Sequence, residues 1–143
     1  MLISTRGRYA LRVLIDMAEH RSNEYIKLND IAQRQEISEK YLESIVKVLV
    51  RNKIITGLRD KGGGYRLALK PEQINVGEVL TVMEGTLAPV SCLENGTTPC
   101  PRAADCRTLE FWRGLDDAII RYTHSYTIAD LMRSSEPGND YVI

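Results

Sequence analysis

The sequence predicts a mainly α fold with a small β-wing: a winged helix-turn-helix unit, extended by a long helix near the C-terminus. Three stretches carry that prediction. A short helical segment, Leu28–Gln35, is separated by a tight turn from an amphipathic helix that starts after Ser38. Two short alternating runs, Ile54–Arg59 and Tyr65–Leu69, flank the glycine-rich tip Asp60-Lys61-Gly62-Gly63-Gly64. From Thr108 to about His124, apolar residues recur at helical spacing over a face wider than one helix hides alone.

In chain order, Thr5-Arg6-Gly7-Arg8-Tyr9 leads into a helix over Ala10–Glu19. There Ala10, Leu14 and Met17 lie beside Leu11, Ile15 and Ala18, a stripe wide enough for burial on more than one side. Arg6 and Arg8 suit either phosphate contact or a solvated helix start. Arg21-Ser22-Asn23-Glu24 reads as a loop. Ser38 has the chemistry of an N-cap, and Leu42, Ile45, Val46 and Leu49 then share one face at i, i+3, i+4, i+7. The opposite face carries Glu39, Lys40, Glu43, Ser44, Lys47 and Arg51. In the second wing strand Tyr65, Leu67 and Leu69 alternate with Arg66, Ala68 and Lys70, and the glycines of the tip permit positive φ and close backbone approach to a partner. Pro71 stops that strand. Asn75 and Glu78 stand in capping-box spacing before Val76, Val79, Leu80 and Met83, with Gly85 as the residue after the helix. Residues 86–107 lack periodicity and hold three prolines and all three cysteines. In the long helix Phe111, Leu115, Ala118 and Tyr122 form a seam flanked by Trp112 and Ile119. It is expected to pack on the first helix and on a second subunit; the alternative is an intramolecular core helix. Thr127 and Asp130 cap a last short helix, Ile128–Arg133, and Ser134–Ile143 reads as a frayed tail. The organisation expected is thus 1–85 winged helix-turn-helix, 86–107 cysteine-bearing loop, 108–133 dimerisation helix with its closing helix, and 134–143 flexible tail.

Composition bounds the function. A hydrophobic share of 43% suffices for a core, and no run reaches the ~20 apolar residues of a spanning helix or resembles a signal peptide. The expected place is therefore the cytoplasm, with no membrane partner. The formal net charge of zero hides a split. Residues 1–75 hold 14 Lys and Arg against 9 Asp and Glu, whereas residues 76–143 hold 5 against 10. The basic half coincides with the helix-turn-helix pattern, as phosphate neutralisation requires, although chance segregation gives the same split. An enzyme is not expected. Lys61-Gly62-Gly63-Gly64 precedes a strand rather than a helix N-terminus, so it is no phosphate cradle, and His20 and His124 sit at helix ends away from any paired nucleophile.

The bottom-up reading is therefore double-stranded DNA as partner. The helix after Ser38 would enter a major groove, with Ser38, Glu39, Lys40, Tyr41, Glu43 and Ser44 meeting base edges or phosphates. Arg59, Lys61, Gly62 and Gly63 would follow the backbone or the minor groove, and Tyr65 would brace the hairpin. The cysteines, spaced Cys92-x7-Cys100-x5-Cys106, lie in a loop, where several thiolates are free to converge on one centre. Soft donors of this kind select zinc, copper(I) or an iron–sulfur cluster. Unligated redox-active thiols and pairing between subunits remain open at this point.

Several segments together resemble one family. STRGRYALRVLIDMA, LNDIAQRQEISEKYLESIVKVLVRNKII, LRDKGGGYRLALKPEQINVGEVL, the cysteine loop, LEFWRGLDDAIIRY and YTIADL occur in the order, and near the spacing, of the Rrf-type winged-helix transcriptional regulators, which include IscR, NsrR, RirA and CymR. The resemblance implies a cytoplasmic homodimeric transcription factor, usually a repressor, on a near-palindromic operator. It implies a long helix crossing its twin and, in cysteine-bearing members, an iron–sulfur cluster (2Fe-2S or 4Fe-4S) that reports iron, redox or nitrosative state. By the resemblance, Cys92, Cys100 and Cys106 fall on the three cluster ligands, with a first gap like that of RirA. Two positions depart from it: Leu109 stands where IscR-type proteins place a ligand histidine, and Arg8 where NsrR-type proteins place an aspartate. Glu94, Asp105, Glu110 or a small molecule are candidates for the fourth ligand. Asp60 replaces the glycine usual after the wing arginine. The alternatives are the same DNA-binding regulator with a zinc or thiol sensor, and a cofactor-free protein-interaction module.

Overall fold

A computed structural model of the chain describes residues 2–22, 24–59, 63–95 and 100–133. The expected tail, 134–143, and Asp60, Lys61 and Gly62 of the wing tip lie outside the described residues. The element order is α1 (Thr5–Glu19), α2 (Leu28–Gln35), α3 (Glu39–Arg51), β1 (Ile55–Leu58), β2 (Gly64–Leu67), α4 (Val76–Glu84), α5 (Leu109–His124) and α6 (Ile128–Arg133), with short 3-10 turns at Pro71–Gln73 and Ser91–Leu93. This is a mainly helical winged helix-turn-helix, as the sequence predicts.

α1 begins five residues before the expected Ala10. Its N-cap is Ser4, whose Oγ accepts from the Gly7 amide at 3.1 Å. Gly7 belongs inside the helix because a Cβ there would stand 2.4 Å from Glu84 Oε1 of α4, so a helical glycine is what lets the two elements meet. Ala10, Val13, Leu14 and Met17 are fully buried, and α1 runs through the middle of the molecule against α2, α3, α4 and α6.

α2 ends at Glu36, which takes the left-handed conformation (φ 55°). The Ile37 amide then reaches back to the Ala32 carbonyl at 3.0 Å, closing the tight turn before Ser38. Ser38 caps α3 by accepting from the Tyr41 amide at 3.2 Å, and Leu42, Ile45, Val46 and Leu49 are the buried face, as the spacing predicts.

The two strands pair antiparallel in the register Ile55↔Leu67, Thr56↔Arg66, Gly57↔Tyr65, Leu58↔Gly64. They are shorter than expected: Leu69, expected within the second strand in alternation with Tyr65 and Leu67, lies beyond the ladder and is 41% exposed. The hairpin is docked by a third backbone segment. The Ile26 and Tyr65 amides each donate to the other's carbonyl at 2.7 Å. A Cβ on Gly64 would sit 2.4 Å from the Ile26 carbonyl oxygen, so glycine is what permits this approach.

Asn75 Oδ1 accepts from the Glu78 amide at 3.1 Å and starts α4, which Gly85 closes at φ 85°. Thr127 and Asp130 cap each other's amides at the start of α6. α6 then returns to the shared core. Ile128 is fully buried, its amide donates to the Ile74 carbonyl at 2.9 Å, and the Val76 amide donates to the Tyr126 carbonyl at 3.0 Å.

α5 departs from expectation in its neighbour: it leans on α4 rather than on α1. The closest approach is at Gly77, where a Cβ would lie 2.2 Å from His124 Nδ1. Trp112, Asp116, Ile119 and Thr123 form the half-buried side, whereas Phe111, Leu115, Ala118 and Tyr122 all face outward. No residue of α5 is fully buried. No helix among the described residues is long and apolar enough to cross a membrane.

Candidate nucleic-acid interface and cysteine loop

The outward face of α3 is where backbone and side chains leave room for a partner. Ser38, Glu39, Lys40, Glu43 and Ser44 are exposed and Tyr41 is half-buried. Tyr41 is held from below: its ring meets Tyr9 of α1 edge-on at 5.9 Å, and the Arg12 guanidinium lies 4.9 Å over the Tyr9 ring. Its part in α3 is thus as much anchoring as display. Ser44 Oγ donates to the Tyr41 carbonyl at 2.6 Å, so the hydroxyl is partly engaged by its own helix.

Behind α3 sits a polar clamp that the sequence reading did not find. Asp16 is buried at 2% exposure and accepts from Arg34 Nε at 2.9 Å, Arg34 Nη2 at 2.6 Å and Gln35 Nε2 at 2.9 Å. Arg12 donates to Gln35 Oε1 at 3.1 Å and to the Gln35 carbonyl. Burial by itself pushes the Asp16 carboxyl up. The hydrogen bonds from Arg34 and Gln35, with the charge of Arg34 and a smaller contribution from His20, outweigh it and hold the group below its ordinary range. α1 therefore grips the end of α2 and the turn that aims α3. The signal in the sequence is an aspartate beside the wide apolar stripe of the first helix.

In the wing, Arg59 is exposed just past β1 and Gly63 is half-buried; Lys61 and Gly62 lie outside the described residues. Tyr65 is half-buried, lies across Gly57, and carries the pairing with Ile26. Arg66 lies 4.8 Å over the Tyr25 ring, a second tie between the wing and the preceding loop.

The cysteines lie between α4 and α5. Cys92 is exposed in its 3-10 turn, Cys100 is half-buried and Cys106 is exposed; none is in a disulfide. Cys106 Sγ is 3.5 Å from Thr108 Oγ1 at the start of α5. Hydrogen bonds from the Thr108 side chain, then from the Thr108 and Leu109 amides, lower its thiol pKa. Among the described residues, no three Cys, His, Asp or Glu side chains already converge as a metal site. The donor chemistry suits a soft-metal centre: three free thiols, one of them with a lowered pKa. Glu94 is half-buried, and Asp105 and Glu110 are exposed. A cleft of about 490 Å³ opens between α4, the loop and α5, lined by Glu84, Leu93, Glu94, Asp116, Ile120 and His124.

Comparison with known proteins places this geometry. The pattern of the Rrf2 family, described as iron-dependent transcriptional regulator, matches residues 3–134. The protein rrf2 of Nitratidesulfovibrio vulgaris is 44% identical over 135 residues, spanning 94% of this chain and 89% of its own length. The HTH-type transcriptional regulator IscR of Aliivibrio salmonicida is 33% identical over 136 residues, 95% of this chain and 80% of its own. The structure of CymR, the global cysteine regulator of B. subtilis, superposes with a TM-score of 0.76 at 33% identity, over 95% of this chain and 99% of that one.

Proposed function

The chain belongs to the Rrf2 family of DNA-binding transcriptional regulators, and on that premise we propose that it is a homodimeric repressor whose grip on a near-palindromic operator is set by an iron–sulfur cluster held by Cys92, Cys100 and Cys106. The observation that carries the reading is the position of the three free thiols. They occupy the segment that joins α4, a core helix, to α5, which carries the exposed seam.

The chain's own residues supply the rest. Phe111 and Tyr122 are each 66% exposed, and with Leu115 and Ala118 they give α5 an apolar side whose fitting cover is the same side of a twin. A twofold pair carries two α3 helices and therefore asks for two half-sites. On each, Ser38, Glu39, Lys40, Glu43 and Ser44 meet base edges or phosphates, Tyr41 sets the helix on α1, and Arg59, with Lys61 and the wing glycines, follows the flanking backbone. Tyr65 braces the hairpin through Ile26. A bound cluster supplies a centre whose assembly and loss respond to iron, oxidants or nitric oxide. The loop that holds it ends at the first turn of α5, so its conformation bears on how the twin helices, and with them the two α3 helices, are spaced.

The test is anaerobic purification followed by an absorbance spectrum, with iron and sulfide assays on the same sample. Brown protein with matched iron and sulfide supports the cluster, and Cys100→Ala should then be colourless while remaining folded and dimeric. Colourless, iron-free protein after anaerobic reconstitution refutes the cluster and moves the reading to a zinc or thiol sensor, leaving the DNA-binding fold in place.

A further inference from the structure

Arg6 and Arg8 look equivalent in the sequence, but the structure separates them. Arg8 Nη2 turns back to Thr5 Oγ1 of its own helix at 3.2 Å. Arg6 crosses to α3, where its Nη2 makes a long contact, 3.4 Å, with the Ser44 carbonyl, and its Nε is buried with no hydrogen-bond partner. There it forms one lip of a groove of about 510 Å³, lined along α3 by Lys40, Glu43, Ser44, Lys47 and Arg51. Lys40, Ser44, Lys47 and Arg51 follow i, i+4, i+7, i+11 and so make a single row spanning roughly 16 Å on the side of α3 opposite the core. Four cations thus face one carboxylate, and among the described residues none of the four is in an ion pair. The exposed Nη2 end of the guanidinium is held by one long contact, and an oxyanion placed there gives it a shorter, charge-assisted partner.

The backbone turn that carries Arg6 is also fixed. Glu84 Oε1 accepts from the Ser4 amide at 2.8 Å and from Ser4 Oγ at 2.7 Å, and Ser4 in turn caps Gly7. The arginine is therefore presented from an anchored turn rather than from a free end.

We propose that this groove is a seat for the DNA sugar-phosphate backbone, with Arg6 of α1 clamping a phosphate at the edge of the major groove and Lys47 and Arg51 neutralising its neighbours along α3. The proposal rests on the DNA-binding assignment and extends it to residues outside the N-terminal half of α3 and the wing. The seat reads charge and not sequence, so it contributes equally on operator and non-operator duplex.

A labelled duplex of mixed sequence is the probe, titrated with the full chain by fluorescence anisotropy over a series of KCl concentrations. Arg6→Gln should bind roughly tenfold more weakly, the scale of one lost charge-assisted contact, and the slope of log K against log salt should become shallower by about one. Arg6→Lys should recover most of the slope, and Arg8→Gln should leave it unchanged. Because Arg6 also touches α3, far-UV circular dichroism checks each variant, and the fully surface-borne changes Lys47→Gln and Arg51→Gln test the same seat without touching α1. Arg6→Gln with wild-type affinity and slope overturns the clamp. If it fails to fold, wild-type slopes for both Lys47→Gln and Arg51→Gln overturn the seat. Wild-type protein that binds no duplex in a salt-dependent way removes the DNA-binding reading itself, an outcome distinct from either.

Discussion

Asp16→Asn isolates the clamp that aims α3. The change keeps the size of the side chain and removes its charge and half of its acceptor capacity. In the wild type the carboxylate, with a side chain only 1% exposed, accepts two hydrogen bonds from Arg34 and one from Gln35. An asparagine oxygen can keep part of this set, but its amide then faces a donor from Arg34 or Gln35. Hydrogen bonds to charged groups are worth about 1.5–3 kcal/mol each. Arg34 remains 33% exposed and regains water when its partner goes, so the separate contributions do not add in full. A loss of about 2–3 kcal/mol follows, or a fall in Tm on the order of 10 °C. The pH dependence has a definite sign. The folded-state pKa of Asp16 lies below its ordinary value, so its contribution is complete above the unfolded pKa and fades as pH falls through the folded one. The gap in Tm between wild type and variant should be widest near neutrality and close in acid. Duplex affinity should drop because α3 is less well held, but the salt slope should stay, since no phosphate contact is removed. Thermal melts from neutral to acidic pH give both readings. A gap that stays constant, or widens in acid, would refute the account of Asp16 as a buried carboxylate held ionised by Arg34.

Three further outcomes follow from single sites. Gly64→Ala places a Cβ against the Ile26 carbonyl, so the two 2.7 Å bonds between Ile26 and Tyr65 should open at a cost of about 1–3 kcal/mol, seen as faster amide exchange at both residues. Arg59 is exposed, so Arg59→Ala should leave Tm unchanged while weakening duplex binding and flattening its salt dependence; unaltered binding would take the wing out of the interface. Phe111→Lys puts a charge on the α5 seam, where Phe111 is 66% exposed, and should turn dimers into folded monomers in sedimentation velocity, whereas an unchanged mass would assign the seam to another role.

What was legible in the sequence is what is written locally. Ser38, the Asn75 cap and the Thr127–Asp130 box each satisfy amides within a few residues, so spacing alone locates the helix starts they govern. The buried face of α3 was legible for the same reason, because one period of 3.6 residues decides it. The start of α1 was not, since Gly7, four residues after Ile3, reads as a lead-in until Glu84, 80 residues away from Ser4, is brought against it. That contact is more than a boundary detail. Glu84 closes α4, lines the cleft that the cysteine loop borders through Leu93 and Glu94, and fixes the turn from which Arg6 reaches Ser44. The neighbour of α5 was misjudged on similar grounds: its apolar seam shows that one side must be covered, but only the close approach at Gly77 selects α4 over α1 as the helix beneath it. The Asp16 clamp joins three side chains whose spacing in the chain has no period, so nothing short of the folded core brings them together. Local physics therefore writes the elements of this protein, while the contacts that set how α3 and α5 are held are long-range polar and close-packing contacts. These are the contacts through which a change at the cysteine loop has to act if it is to alter the grip on DNA.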